Sequence, residues 1–268
     1  MATLTQSTLK RRDWRTIAFT MVAGLVTLLL LALGGLHGML APWLGHVWVA
    51  SEEGIQHPEI HLWHDGQFGA LLILLIGSLL TSFRQPRERV LLAQFFALSV
   101  GVYLLALARF DPGSVLVFGV IMSLPIVVHP AFRNLLRFER EGRMSVPLIA
   151  LSLCAAVLLL PAAWNALRWQ VAAADEHALA NHWMAAVVLT IVLVLAGVLA
   201  ATRRPGWRAL GLLTGLTYLY LGAAAISLPD QAGSWGTLGG VVALLGGVAF
   251  LATTLWKTGS AASKEIQP

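Results

Sequence analysis

The chain has a single cysteine, Cys154, among 268 residues. One cysteine excludes an intrachain disulfide and every metal motif built from cysteine pairs, and without a C-x-x-C-H segment any haem would be held non-covalently. Charged residues make up only 12% of the chain, whereas soluble domains average about 25%. The P-loop, GxSxG and HExxH motifs are missing as well, so the common nucleotide-binding and hydrolase activities have no motif to support them.

Apolar residues, by contrast, make up 57% of the chain. Eight apolar runs approach or exceed the ~20 residues that a helix needs to cross a bilayer. The predicted spans cover 16–40, 62–83, 89–109, 114–132, 146–166, 179–201, 207–228 and 235–256. The sequence therefore predicts an all-α, polytopic membrane protein with eight transmembrane helices whose main partner is the lipid bilayer.

Lysine and arginine predict the orientation of these spans. Sixteen of the eighteen basic residues fall at one set of span ends, and only Arg109 and Arg168 fall at the other. Basic residues concentrate on the cytoplasmic side of membrane proteins. We therefore expect both termini in the cytoplasm and the protein in the cytoplasmic membrane. The net charge of +5 then belongs to cytoplasmic loops, which argues against nucleic acid as a partner.

The chain also shows a weak internal repeat. His64 begins a run that ends at Pro86, and His182 begins a run that ends at Pro205. An even number of helices per copy would make the two copies parallel, related by an axis along the membrane normal. This pattern predicts an N-terminal segment at 1–15, two four-helix units at 16–138 and 139–257, and a cytoplasmic tail at 258–268.

Histidine is distributed opposite to arginine. Seven of the eight histidines fall at the extracytoplasmic ends, and only His129 falls toward the cytoplasmic side. His57, His61 and His64 are spaced i, i+4 and i+7, which on a helix keeps all three on one face. Pro58 and Glu59 suit a helix start directly after His57.

A second polar stretch precedes the sixth span. It contains Asp175, Glu176, His177 and His182. Asp175 is a favourable N-cap, whereas His177 and His182, five residues apart, would diverge by roughly 140° on a regular helix. If the two units pack side by side, His61 and His64 would meet His182.

Imidazole and carboxylate groups are ligands for transition metals. The predicted metal ligands are His61, His64 and His182, joined by His57 and His177. Asp65, Asp175 and Glu176 are predicted to contact the imidazole rings and orient them, without binding the metal themselves. His37, which lies between glycines, is a candidate contact for a haem or another flat ligand. The candidate cofactors are Cu, Zn, Fe and non-covalent haem, and an interfacial, purely structural role for the histidines is the alternative.

Three functions therefore remain open from the sequence. The first is a metal- or haem-binding membrane protein that serves as a redox subunit or metal-handling factor. The second is a permease for small solutes or lipid-like molecules, although carboxylates and basic groups inside the spans, which ion-coupled transporters usually carry, are nearly absent. The third is a non-catalytic structural or assembly subunit of a membrane complex, with other membrane subunits as partners. No lysine lies within a predicted span, which excludes a retinal Schiff base.

Overall fold

The computed structural model describes residues 14–49, 61–135, 137, 144–172 and 175–256, with no account of the side chains of residues 46–49 and 176. Every regular element in these ranges is a helix. The helices are α1 (Trp14–Leu30), a π-helical segment (Leu31–Gly35), α2 (Leu36–Val49), α3 (Leu62–Ser82), α4 (Val90–Leu107), α5 (Pro112–Val127), a 3₁₀ turn (Phe132–Asn134), α6 (Val146–Ala172), α7 (Glu176–Leu179), α8 (His182–Ala201), α9 (Trp207–Ser227) and α10 (Gly236–Leu255).

Seven of the helical segments are long and apolar enough to cross a membrane. The first of them combines α1, the π-helical segment and part of α2 into one span, Trp14–Gly45. The apolar helix α5 is shorter, at 16 residues. The all-α prediction is therefore confirmed, and the seven long apolar helices in the described part of the chain are compatible with a membrane protein. The count of eight spans stays a prediction, because α5 is shorter than the others.

The helices α3 and α8 form the centre of the bundle. They pack against each other, α3 also packs against α4 and α9, and α8 also packs against α4, α6 and α9. About two thirds of the apolar window of α3 is buried, compared with 17% for α6 and 28% for α10. The outer helices therefore turn their apolar residues outward, as expected for surfaces that face lipid.

Glycines allow α2 and α3 to pack with their backbones in contact. A Cβ atom at Gly38 would lie 2.9 Å from the carbonyl oxygen of Asp65, and one at Gly69 would lie 2.6 Å from that of Gly38. The hydroxyl of Tyr220 donates a hydrogen bond of 3.0 Å to the Gly38 carbonyl. The glycine beside His37 thus accommodates the backbone of α3.

At the end of the bundle where α4 begins, polar side chains hold the helices and the loop after α5 together. The buried amide of Gln94 donates hydrogen bonds to the carbonyls of Asn134, Leu135 and Arg137. Nearby, His129 is buried in the turn after α5, with its ring 4.7 Å from that of Phe19. Its Nδ1 accepts a hydrogen bond from the Ala131 amide at 3.2 Å. His129 therefore joins α1 to the loop after α5.

Acidification is expected to weaken the fold through His129. Burial lowers the pKa of His129 from 6.5 to about 4, so the folded chain resists a proton that the unfolded chain accepts. The stability from this group is complete above pH ~6.5 and falls as the pH drops toward ~4, by about 2 kcal/mol at pH ~5. The measurement is the thermal midpoint of detergent-purified protein at neutral pH and near pH 5.

The matched variant is His129→Asn, whose Oδ1 can still accept from the Ala131 amide but which does not titrate. Its midpoint should fall less on acidification than that of the native protein. Equal falls in the two proteins would show that other groups cause the acid sensitivity.

Candidate functional site

The heads of α3 and α8 carry the candidate site. His61 precedes α3 directly and His64 lies in its first turn, while His182 is the first residue of α8. His177 lies in the one-turn helix α7, which is separated from α8 by Asn181 in a left-handed conformation with φ of 60°. Because this break ends the regular helix, His177 and His182 do not diverge as a continuous helix would require. The divergence expected on a regular helix therefore does not apply, and the two rings lie 6.0 Å apart, measured between centroids.

The four imidazoles form one cluster, which we call the histidine cluster. The ring of His61 lies 4.6 Å from that of His182 and 4.8 Å from that of His177, measured between centroids. The ring of His64 stacks on that of His182 at 5.1 Å with an interplanar angle of 15°, and it lies 5.0 Å from the ring of His177. Residues more than a hundred positions apart in sequence thus meet where the two central helices begin.

Hydrogen bonds determine part of the protonation pattern. The Nδ1 atoms of His61 and His182 are 2.9 Å apart, so one of them donates and the other accepts, and the accepting ring is neutral. The Nδ1 of His64 lies 3.1 Å from the Oε1 of Gln67. Because a carbonyl oxygen only accepts, this contact places the proton of His64 on Nδ1 and leaves the lone pair on Nε2.

Two ring nitrogens in the cluster are buried with no hydrogen-bond partner among the described residues. They are the Nε2 atoms of His64 and His177. A buried polar atom left unsatisfied costs about 1–3 kcal/mol. A ligand that bonded to these atoms would remove that cost.

An aromatic wall closes the cluster on one side. The ring of Trp183 lies 4.9 Å from His64 and stacks on His177 at 5.2 Å. The loop between α9 and α10 lies over it, because a Cβ atom at Gly233 would come within 2.8 Å of the Trp183 ring and 3.4 Å of His64. This loop is tied to α3 by Gln231, whose Oε1 accepts a hydrogen bond from the Trp63 amide at 2.8 Å.

A cavity of about 290 Å³ borders the cluster on another side. Its polar lining includes His64, His182, Asp65 and Asp111. Asp111 caps α5 by accepting a hydrogen bond from the Ser114 amide at 3.0 Å, and hydrogen bonds from Ser114 lower the pKa of this carboxyl. An ionised carboxylate at the wall of the cavity would attract a cation toward the two imidazoles.

The remaining predicted residues lie in different surroundings. The Nε2 of His37 is 3.6 Å from a carboxylate oxygen of Asp65, so His37 contacts a predicted supporting residue. Asp175 caps α7, accepting a hydrogen bond from the Ala178 amide at 2.8 Å. His57 and the side chain of Glu176 fall outside the described part of the chain, and their predicted roles stay predictions.

The cluster is not arranged as a finished coordination sphere. Within the ranges that the structure describes, no group of three or more His, Cys, Asp or Glu side chains is placed to hold a metal ion. A tetrahedral ion with bonds of ~2.0–2.1 Å would keep its nitrogen ligands about 3.3 Å apart. The separation of 2.9 Å between the Nδ1 atoms of His61 and His182 is instead that of a hydrogen bond, and these two rings would have to separate by a few tenths of an ångström to share an ion.

Sequence reasoning missed three residues that shape the site. Gln67 fixes the proton of His64, Trp183 forms the wall, and Gly233 brings the loop close to both. The spacing of Gln67 three residues after His64 on a helix was a usable signal. Trp183 and Gly233 gave no such signal, because their roles depend on contacts between distant helices.

Comparison of the whole chain with protein-family models, with curated proteins and with solved structures gave no match. The chemistry of this chain is therefore the basis for assigning its function. That chemistry is a group of four imidazole rings beside a cavity with carboxylates, at one end of a bundle of long apolar helices.

Proposed function

We propose that this multi-pass membrane protein binds one transition-metal ion at the histidine cluster, as a metal-handling factor or a redox subunit. The observation that carries the proposal is the convergence of four imidazoles, two of which have a buried Nε2 with no partner among the described residues. Neutral imidazole is the form that ligates Zn, Cu and Fe. A metal ion coordinated by one of these Nε2 atoms would supply the partner that it lacks among the described residues.

The residues have distinct roles in this proposal. His64 would bind through Nε2, and Gln67 would hold its tautomer and ring orientation, as partners behind metal-bound histidines commonly do. His61, His177 and His182 supply the other nitrogens. Asp65 and Asp111 in the adjoining cavity would draw the cation in, and Asp65 is itself positioned beside His37.

An ion fits the cluster better than haem does. Haem held by two histidines requires the porphyrin plane to pass between the two rings. The rings of His61, His64 and His182 contact one another directly, and that leaves no slot for a porphyrin between them. Elemental analysis of detergent-purified protein, together with its visible spectrum, tests the proposal, since haem would appear as a Soret band and an ion as bound metal alone.

Helix pairing supports the proposed two-unit architecture. In the first unit, the opening span packs on α3, α4 packs on α5, and α1 packs on α5. The second unit has three corresponding contacts, because α6 packs on α8, α9 packs on α10, and α6 packs on α10. Across the units, α3 packs on α9 just as α8 packs on α4. We infer that α5 is the eighth span and that 16–138 and 139–257 are two parallel repeats. A twofold axis between α3 and α8 would then relate His64 to His182.

We also propose an orientation for the bundle in the membrane. The sixteen-to-two division of basic residues between the span ends supports cytoplasmic termini in the cytoplasmic membrane and an extracytoplasmic histidine cluster. A cysteine introduced at Gln56 of a Cys154→Ala background should react with an impermeant maleimide in intact cells, and one at Ser260 should react only after lysis. The reverse pattern would contradict the orientation.

A further inference from the structure

A second, larger cavity lies beyond the aromatic wall of the histidine cluster. Its volume is about 730 Å³, within the range of pockets that hold cofactors and drug-sized ligands. It lies among α6, α8, α9 and α10, and the loop that carries Gly233 closes one end. Trp183 and Gly233 line this cavity, and Trp183 also contacts the ring of His64.

The lining of this cavity restricts the charge of an occupant. Among the described residues that line it there is no Asp, Glu, Lys, Arg or His. A charged group would lack a partner in such surroundings, and burying an unpaired charge is costly. The occupant is therefore uncharged, which argues against a phospholipid whose phosphate enters the cavity.

The lining also indicates the shape of an occupant. Trp169, Trp183, Trp235, Tyr218 and Phe250 all line the cavity, and aromatic side chains favour a planar ring in offset-stacked or edge-on contact. The rest of the wall is mainly aliphatic, and rim residues such as Leu158 and Leu238 are largely exposed on the outer faces of α6 and α10. A ligand with an apolar tail could therefore enter sideways from the bilayer.

Unsatisfied donors indicate the polar group that an occupant needs. The hydroxyl of Tyr218 and the indole Nε1 of Trp183 are buried without a hydrogen-bond partner among the described residues. The indole nitrogen can only donate, so the complementary group is an acceptor oxygen. Gln67, whose side chain bonds to His64, lines the same cavity.

We propose that this cavity binds a membrane-soluble quinone: a planar, uncharged ring with carbonyl oxygens and a hydrocarbon tail. The ring would lie among the tryptophans with a carbonyl toward Tyr218 and Trp183, and the tail would leave between α6 and α10. This site is separate from the proposed metal site, and its occupation does not depend on a bound ion. Gln67 links the two, because it lines the quinone cavity and bonds to His64.

The single cysteine gives a direct readout of occupancy. Cys154 lines the cavity and is exposed, so its reaction with a membrane-soluble maleimide can be followed in nanodiscs without background from other thiols. The probe is a fully substituted benzoquinone with a decyl tail, which cannot add readily to the thiol. At a probe concentration about ten times its Kd, labelling should slow about tenfold, because roughly one site in ten is then free.

Two variants and two controls make the test specific. Ala162→Phe on α6 and Val242→Trp on α10 fill the cavity from exposed positions and should abolish the protection. Ala150→Phe adds the same bulk at an exposed position of α6 outside the cavity and should keep it. Decylcyclohexane, which has no carbonyl or planar ring, should not protect.

Each contrary result would overturn the proposal. Equal protection by decylcyclohexane would mean that the cavity is an unselective crevice filled by lipid. Absent or non-saturable protection by the quinone, or full protection in both cavity-filling variants, would mean that no quinone binds there. The metal content of the same samples tests the metal site separately, so the failure of one proposal is distinguishable from the failure of the other.

Discussion

Replacing His64 and His182 together with alanine is expected to remove bound transition metal from the purified protein. His64 offers the buried Nε2 and His182 stacks on it, so the double variant loses two of the four proposed ligands. Changing a group that merely supports a ligand costs about 10–100-fold in metal affinity. Loss of two direct ligands should exceed that range. The measurement is metal content by elemental analysis, followed by titration against a chromophoric chelator.

The matched control is His37→Ala. His37 lies at the same end of the bundle and contacts Asp65, but it does not belong to the histidine cluster. Its metal content should stay at the native value. If the double variant keeps its metal, the ligand assignment is wrong. If the native protein binds no metal and the double variant only lowers the thermal midpoint, the cluster serves to hold α3, α7 and α8 together.

A smaller effect is expected from Gln67→Leu, which follows from the same argument. The substitution keeps the volume but removes the oxygen that accepts from the His64 Nδ1. His64 could then carry its proton on Nε2, the atom that the ion needs. Metal affinity should fall by roughly 10–100-fold with the binding stoichiometry unchanged.

The helices were predictable because composition and length determine them. A run such as 182–201 has no alternative in a bilayer, where only internally hydrogen-bonded helices or closed barrels are stable. The start of α3 beside His61 and the start of α8 beside His182 follow from where the apolar runs begin. The spacing of His61 and His64 also predicted that both lie on one face of the chain at this point.

The positions of the other residues of the site could not be predicted from local sequence patterns. The left-handed Asn181 brings His177 into the cluster, and although asparagine tolerates that conformation, nothing in the sequence requires it there. Trp183 is buried against His64, a contact that depends on how α3 and α8 pack together. Gly233 lies in a loop whose position depends on how α9 and α10 pack together.

The packing of α9 against α10 depends on glycine. Gly211 and Gly215 form a GxxxG pattern in α9 with Gly222 one heptad further on, and each of the three lies against α10. A Cβ atom at Gly222 would lie 2.7 Å from the Gly240 carbonyl oxygen and 2.9 Å from the Leu244 amide nitrogen. At Gly215 the nearest atoms belong to the Leu251 side chain, at 2.8 Å, and the Gly247 carbonyl oxygen follows at 3.0 Å.

Alanine at Gly222 is therefore expected to destabilise the protein more than alanine at Gly215. The clash at Gly222 is with backbone, which cannot move without separating α9 from α10, whereas a leucine side chain can change rotamer. Overpacking of this kind costs about 1–3 kcal/mol, and Gly222→Ala should reach the upper part of that range. A Cβ atom at Gly246 in α10 would have no described atom of a neighbouring residue within 4 Å, so Gly246→Ala should be neutral or slightly stabilising through helix propensity.

The thermal midpoint in detergent tests this order of effects. Because the loop between α9 and α10 carries Gly233 over His64, the same variants also report whether the loop supports the histidine cluster. Gly222→Ala should lower metal affinity as well as the midpoint, while Gly246→Ala should lower neither. If all three variants had the same midpoint, α9 and α10 would not pack through these glycines, and the placement of the loop over the cluster would lose its basis.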